Sequence, residues 1–205
     1  MTPNLTPELE KEVGIVLSRP ILKERKKNLI PLVDYIQKNH NHNKTVHLNF
    51  ICTHNSRRSQ FSQVWAYTAA AYYGVKANCF SGGVEVTSFN ERAVSSLRRS
   101  GFIITSQGTE NPIYQISYGE GASPITIFSK KFDAPENQCD AFAAVMTCGD
   151  AEENCPFIPG TEMRIPLIYK DPKAFDHTEL ENEKYHECSL EIASELFYVF
   201  RKACN

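Results

Sequence analysis

A chain of 205 residues, 41% hydrophobic and 22% charged, is long enough to bury a full core and suits one domain with room for an extra segment. Its formal net charge of -2 leaves neither sign dominant, which argues against nucleic-acid binding and against charge-driven attachment to a membrane. No segment reaches the roughly 18 consecutive apolar residues of a membrane span. The opening MTPNLTPELEKEVGIVL has acids where a secretory leader needs a basic patch and an unbroken apolar run, so a soluble protein of the cytoplasm is expected.

In chain order, residues 1–44 read as an accessory helical extension. Thr6-Pro7 followed by Glu8 and Glu10 has the form of a helix start, and a second apolar-periodic stretch runs from Ile21 through Leu29, Leu32, Val33 and Ile36. The run NHNHN at 39–43 then breaks the pattern and reads as a solvated linker, with His40 and His42 lacking the further ligands a metal would need. A catalytic domain is expected over 45–205. It begins with the apolar run VHLNFI at 46–51, the polar loop CTHNSRRS at 52–59, and apolar positions at helical spacing in Phe61, Val64, Trp65, Thr68 and Ala69. The alternation continues with strands at VKANCF, PITIF, DAFAAVMT and RIPLIY, a helix around 89–99 and a long helix over 178–202. Such alternation predicts a parallel sheet with helices on both faces. Residues 102–123 carry a weak pattern, which leaves a long loop or an insertion open.

Seven cysteines (Cys52, Cys79, Cys139, Cys148, Cys155, Cys188 and Cys204) are an odd number in a chain that does not need disulfide staples, which fits a reducing compartment. No C-x2-C or H-x3-H pair accompanies them, so no metal is expected.

The chemistry is concentrated in the loop Cys52-Thr53-His54-Asn55-Ser56-Arg57-Arg58-Ser59, where five residues separate a cysteine from an arginine between a strand and a helix. At that position backbone N–H groups converge and the helix dipole favours negative charge, so an oxyanion fits. The same environment favours a thiolate at Cys52, the nucleophile, while Arg58 grips two oxygens of the oxyanion. Ser59 is placed to donate a hydrogen bond to the Cys52 sulfur, and Asn55 to hold the loop's shape. The bland alternative is a cysteine packed as a small hydrophobe, and it fits the full Cys-x5-Arg-Ser string poorly.

These residues resemble the low-molecular-weight protein tyrosine phosphatase superfamily, whose loop reads Cys-x5-Arg-Ser. The resemblance spans about residue 46 to the end and implies a flavodoxin-like doubly wound parallel sheet carrying an N-terminal helical extension, with Thr53, His54, Asn55, Ser56, Arg57, Arg58 and Ser59 around the substrate. Two departures stand out: His54, where a glycine is usual, and Arg57, where members often carry a second cysteine. The family has an Asp-Pro as general acid, and Lys170-Asp171-Pro172 matches it, so Asp171 is expected to protonate the leaving oxygen; an ordinary Asp-Pro turn is the alternative. The aromatic residues that follow Asp-Pro in phosphotyrosine enzymes are replaced by Lys173-Ala174.

Cys148 and Cys155, with six residues between them and Pro156 following, resemble the C-x6-C-P segment of thioredoxin-coupled arsenate reductases. The resemblance implies a relay from Cys52 to Cys148 to Cys155, with no tightly bound cofactor and thioredoxin as external reductant. A helix between the last two would hold them about 10.5 Å apart along its axis, beyond the roughly 7 Å reach of a disulfide, so the segment must unwind on oxidation. Three functions stay open: an arsenate reductase, a phosphatase working through a phosphocysteine, and a non-catalytic oxyanion-binding module. Gln63 stands where an acidic ligand would be needed for an alkali-cation site.

Overall fold

The structure is a computed structural model that describes residues 3–137, 140–154 and 157–205. Two helices come first, α1 (Pro7–Ser18) and α2 (Lys23–Asn41), followed by β1 (Val46–Cys52), α3 (Arg58–Tyr73), β2 (Ala77–Gly83) and α4 (Glu91–Arg99). Then come β3 (Ile103–Gln107), β4 (Ile113–Ser117), β5 (Ile125–Ile127), β6 (Phe142–Met146), α5 (Gly149–Asn154), β7 (Thr161–Pro166) and the long α6 (Glu181–Ala203). A four-stranded sheet has the order β2-β1-β6-β7, and every pair in it is parallel.

Alternation along the strands divides the interior. Val46, Leu48 and Phe50 of β1, Ala143 and Val145 of β6 and Ile165 of β7 join the large core that includes Trp65, Tyr185, Phe197 and Phe200. Ile51, Cys52, Phe142, Ala144, Met146 and Cys148 form a smaller cluster with Ala151 and Ile158. The strands therefore have apolar residues toward both sides, as expected of a parallel sheet buried on both faces. Leu9, Val13 and Val16 of α1 and Leu29, Leu32 and Ile36 of α2 belong to the same large core, so the first helices are part of its packing. Thr6 caps α1 by accepting the Leu9 N–H at 3.2 Å, with Pro7 in the first turn.

Four sequence expectations shift. Residues 102–123 are neither loop nor insertion alone: they form the hairpin β3–β4, which β5 extends into a three-stranded antiparallel sheet. The run PITIF, counted from sequence among the strands of the parallel sheet, supplies that β5. The helix α2 runs through Asn41, with the Asn39 side chain donating back to the Tyr35 carbonyl on the helix, and the chain turns only where Asn43 takes φ 56°. The last strand lies earlier than RIPLIY: β7 ends at Pro166, although the N–H groups of Leu167 and Tyr169 still reach the Met146 and Thr147 carbonyls. Proline is tolerated there because β7 is the outer strand. Among the described residues no helix is long and apolar enough to cross a membrane.

Candidate functional site

The strands β1 and β6 are neighbours whose chains leave the sheet in opposite directions, which places a crevice at their carboxyl ends. Cys52 is the last residue of β1, and Thr147-Cys148 follows β6 directly. The Thr147 N–H and hydroxyl both donate to the Ile51 carbonyl, at 2.7 and 2.9 Å, so the two strand ends are locked side by side. The loop from 53 to 57 then enters α3, whose amino end has no side-chain cap. The first-turn N–H groups of α3 have no intrahelical acceptor and remain available to an anion.

The inside of the loop is organised by Asn55, which is fully buried and takes φ 46°. Its Oδ1 accepts the Lys130 N–H at 3.0 Å, which fixes the amide so that Nδ2 donates to Ser59 Oγ at 2.9 Å. Ser59 Oγ, already accepting there, lies 3.0 Å from Cys52 Sγ, so its single O–H is free to donate to the sulfur. That is the geometry to stabilise a thiolate or a departing thiolate. The Asn55 carbonyl accepts from Gln60 Nε2 at 2.7 Å, and the Ser56 hydroxyl donates to the Ser88 carbonyl at 2.7 Å, tying the loop to the chain before α4.

Arg58 and Asp171 meet directly. Arg58 Nη2 donates to Asp171 Oδ2 at 2.7 Å and Nη1 donates to the Tyr169 carbonyl at 3.0 Å, while its buried Nε has no hydrogen-bond partner among the described residues. A buried guanidinium N–H without an acceptor is costly, and an oxyanion in the loop would supply one. Asp171 also accepts the Lys173 N–H at 3.0 Å and opens a short 3-10 turn, Pro172–Phe175.

Cys148 reaches the loop from the β6 side. Its Sγ lies 3.3 Å from Thr53 Oγ1 and accepts the Ala151 N–H at 3.4 Å. The residues after it form α5, anchored to β7 by an ion pair between Arg164 and Glu152 at 3.0 Å. Cys155, the second relay thiol expected from sequence, lies outside the described residues, as does Cys139. Burial pushes the thiols of Cys79 and Cys188 up to about 12, which keeps both protonated at neutral pH and leaves them poor nucleophiles.

No family model matches the chain. Curated relatives named arsenate reductase do: one from Bacillus licheniformis is 28% identical over 138 residues, covering 67% of this chain and 81% of the relative. Another, from Bacillus subtilis, is 29% identical over 132 residues, covering 64% of this chain and 78% of the relative. Among solved structures, a low-molecular-weight phosphotyrosine phosphatase from Vibrio cholerae superposes with a TM-score of 0.51 at 12% identity, covering 75% of this chain and 93% of that one. The chain has the low-molecular-weight phosphatase fold.

Within the low-molecular-weight phosphatase fold, the two departures noted in the loop find their physical resolution. The positive φ falls on Asn55 and not on His54, so the loop does not demand glycine at 54. The His54 side chain turns outward to Glu85, Nε2 to Oε2 3.2 Å, and its carbonyl accepts the Ser129 hydroxyl at 3.0 Å. Arg57 also points away from the anion side: its Nε donates to Tyr185 Oη at 2.9 Å, Tyr185 donates to Asp176 Oδ1 at 2.7 Å, and Arg57 Nη2 sits 3.8 Å from Asp176 Oδ2. Arg57 thus ties the loop to α6 and to the segment following Asp171. Gln63 has both ends of its amide occupied by β2, donating to the Cys79 carbonyl at 2.9 Å and accepting from the Ser81 hydroxyl at 2.6 Å. Among the described residues no cluster of three or more His, Cys, Asp or Glu side chains could hold a metal.

Gly83, not singled out from sequence, is required by the loop. A Cβ there would stand 2.7 Å from the Asn55 nitrogen, 2.8 Å from the Thr53 oxygen and 2.6 Å from the Glu85 oxygen, all backbone atoms. The signal in the sequence is the pair Gly82-Gly83 at the end of a predicted strand, where glycine marks close approach of another backbone.

Proposed function

We propose that this chain is a cytoplasmic arsenate reductase that works by thiol relay. Cys52 thiolate attacks arsenic(V); an oxygen leaves as water after taking a proton from Asp171, giving an S–As bond at Cys52. Arg58 and the first-turn N–H groups of α3 hold the remaining oxygens. Cys148 thiolate then attacks Cys52 Sγ, the S–As electron pair stays with arsenic, and arsenite departs as the Cys52–Cys148 disulfide forms. Cys155 attacks Cys148, freeing Cys52 as a thiolate, and the Cys148–Cys155 disulfide is reduced by the thioredoxin dithiol.

The observation that carries this reading is the position of Cys148 against the anion loop, its Sγ 3.3 Å from the hydroxyl of the residue next to Cys52. Hydrolysis through a phosphocysteine needs no second thiol, whereas the relay does. The similarity to curated arsenate reductases supports the same choice. Helix α5 stands between Cys148 and Cys155, so the last internal step requires it to unwind and the Arg164–Glu152 pair to open.

One observation favours the phosphatase reading. A cavity of about 520 Å³ beside Asp171, lined also by Arg19, Arg25, Phe175 and Lys184 but by none of residues 52–59, is larger than arsenate needs and has room for the organic part of an ester that extends past Asp171. Arsenite formation with thioredoxin and its NADPH-dependent reductase, run beside aryl phosphate hydrolysis, separates the two. Under the proposal Cys148→Ser stops arsenate turnover; hydrolysis that survives this change, in a wild type that forms no arsenite, makes the chain a phosphatase.

A further inference from the structure

A second cavity, of about 550 Å³, lies at the β2 edge of the parallel sheet, between β2, α3 and the strand β5 of the smaller sheet. None of residues 52–59 lines it, so it is separate from the anion loop. Its volume is in the usual range for a small-molecule site. Tyr67, Phe80 and Phe128 give it aromatic walls, and Lys130 and Glu136 are its charged residues.

Lys130 is only 5% exposed, yet its ammonium makes no hydrogen bond or ion pair among the described residues; its one close partner is the Phe128 ring, 4.8 Å from Nζ to centroid. A lysine this buried is ordinarily paired. Two other polar groups of the cavity are occupied. Tyr67 Oη donates to the Ser123 carbonyl, and the Gln63 amide is used by β2. Burial accordingly pushes the Lys130 ammonium down to about 8, against the weaker field of Glu136.

We propose that this cavity is a binding site for a small organic monocarboxylate with a flat aromatic body, its carboxylate on Lys130 and its ring among Tyr67, Phe80 and Phe128. Among the described residues Lys130 is the one cation lining the cavity and Glu136 its one anion, so the site suits a ligand of low negative charge. A phosphate monoester, with close to two charges at neutral pH, would face Glu136 with its second charge uncompensated. The aromatic walls favour a planar body over a branched aliphatic one.

The site is wired to the catalytic loop through the backbone of the same residue. The Lys130 N–H donates to Asn55 Oδ1 at 3.0 Å, and its carbonyl accepts the Gly83 N–H at 2.8 Å. A ligand that draws the Lys130 side chain into the cavity pulls on the residue that sets the left-handed turn of the anion loop.

The test titrates benzoate, 3-phenylpropionate and indole-3-acetate into the full-length reduced protein, followed by calorimetry and amide chemical shifts. At least one acid is expected to bind saturably, with shifts at Tyr67, Phe80 and Phe128, and benzamide is expected not to bind. Lys130→Met should weaken the acid by about tenfold or more, the loss of one buried charge-assisted contact. Arg58→Met should leave it bound while abolishing phosphate binding in the loop, so failure here and failure of the relay are told apart. Absence of saturable binding by all three acids, or equal affinity in Lys130→Met, overturns the proposal. If Lys130→Met does not fold, Glu136→Gln decides: tighter binding supports the site, and unchanged binding rejects it.

Discussion

Replacing Lys130 by methionine keeps most of the side chain's length and removes the charge of a largely buried residue that has no ion-pair partner among the described residues. Its ammonium is lowered from 10.5 to about 8, and at about 1.4 kcal/mol per decade this amounts to roughly 3 kcal/mol of destabilisation while the group is charged. Loss of the contact with Phe128 offsets about 0.5–1 kcal/mol of that, so Lys130→Met should be about 2 kcal/mol more stable than wild type at pH 7. The sign follows from proton counting. Between about 8 and 10.5 the unfolded chain holds a proton at Lys130 that the folded chain has released, so wild-type stability rises with pH through this window relative to the variant. The gap should therefore be full below pH 8 and close as pH approaches 10.5. Other groups titrating in this range are common to both proteins and cancel in the difference. Urea unfolding followed by fluorescence of Trp65, the one tryptophan and fully buried, reads both stabilities. A variant less stable at pH 7, or a gap that stays constant from pH 7 to 10, refutes the reasoning.

Three further outcomes follow from the site. Gly83→Ala puts a Cβ within 2.8 Å of three backbone atoms, two of them in the anion loop; it should destabilise by about 1–3 kcal/mol and weaken phosphate inhibition, whereas an unchanged inhibition constant would mean the loop tolerates the methyl. Asp171→Asn removes the carboxyl proposed as general acid, which in the structure meets Arg58, so turnover should fall by about 10²-fold or more without weaker binding of phosphate; parallel loss of both would assign Asp171 to loop structure. Arg57→Met breaks the link to Tyr185 and Asp176, at a cost of about 2 kcal/mol. Combined with Tyr185→Phe, its effect should be less than additive in urea unfolding, and strict additivity would dissolve the network.

The placement of the loop at 52–59 between β1 and α3 was legible because an apolar run, a polar loop and a helical pattern meet there without ambiguity. Thr6, Pro7 and Glu8 announced α1 for the same reason, each residue answering a local need of a helix end. What escaped depends on partners distant in sequence. Strand β3 is mostly exposed and shows no alternation, so the hairpin it makes with β4 left no pattern to read. PITIF has the composition of a buried parallel strand, and only its pairing with β4 assigns it to the antiparallel sheet. Arg57 reads as a loop cation until Tyr185, far along the chain, is seen to accept from it. Lys130, in the run Ser129-Lys130-Lys131, looks like a solvated charge, and its burial beneath Phe128 could not be inferred from neighbours of that kind.

The relay from Cys52 to Cys148 is tested most directly by one turnover of arsenate on reduced Cys155→Ser protein, with peptide mapping under non-reducing conditions. With the final thiol removed, the second step has no outlet, so a Cys52–Cys148 disulfide should accumulate as one equivalent of arsenite is released, and Cys52→Ser should yield neither. Arsenite released without that disulfide, or released equally well by Cys148→Ser, would contradict the account.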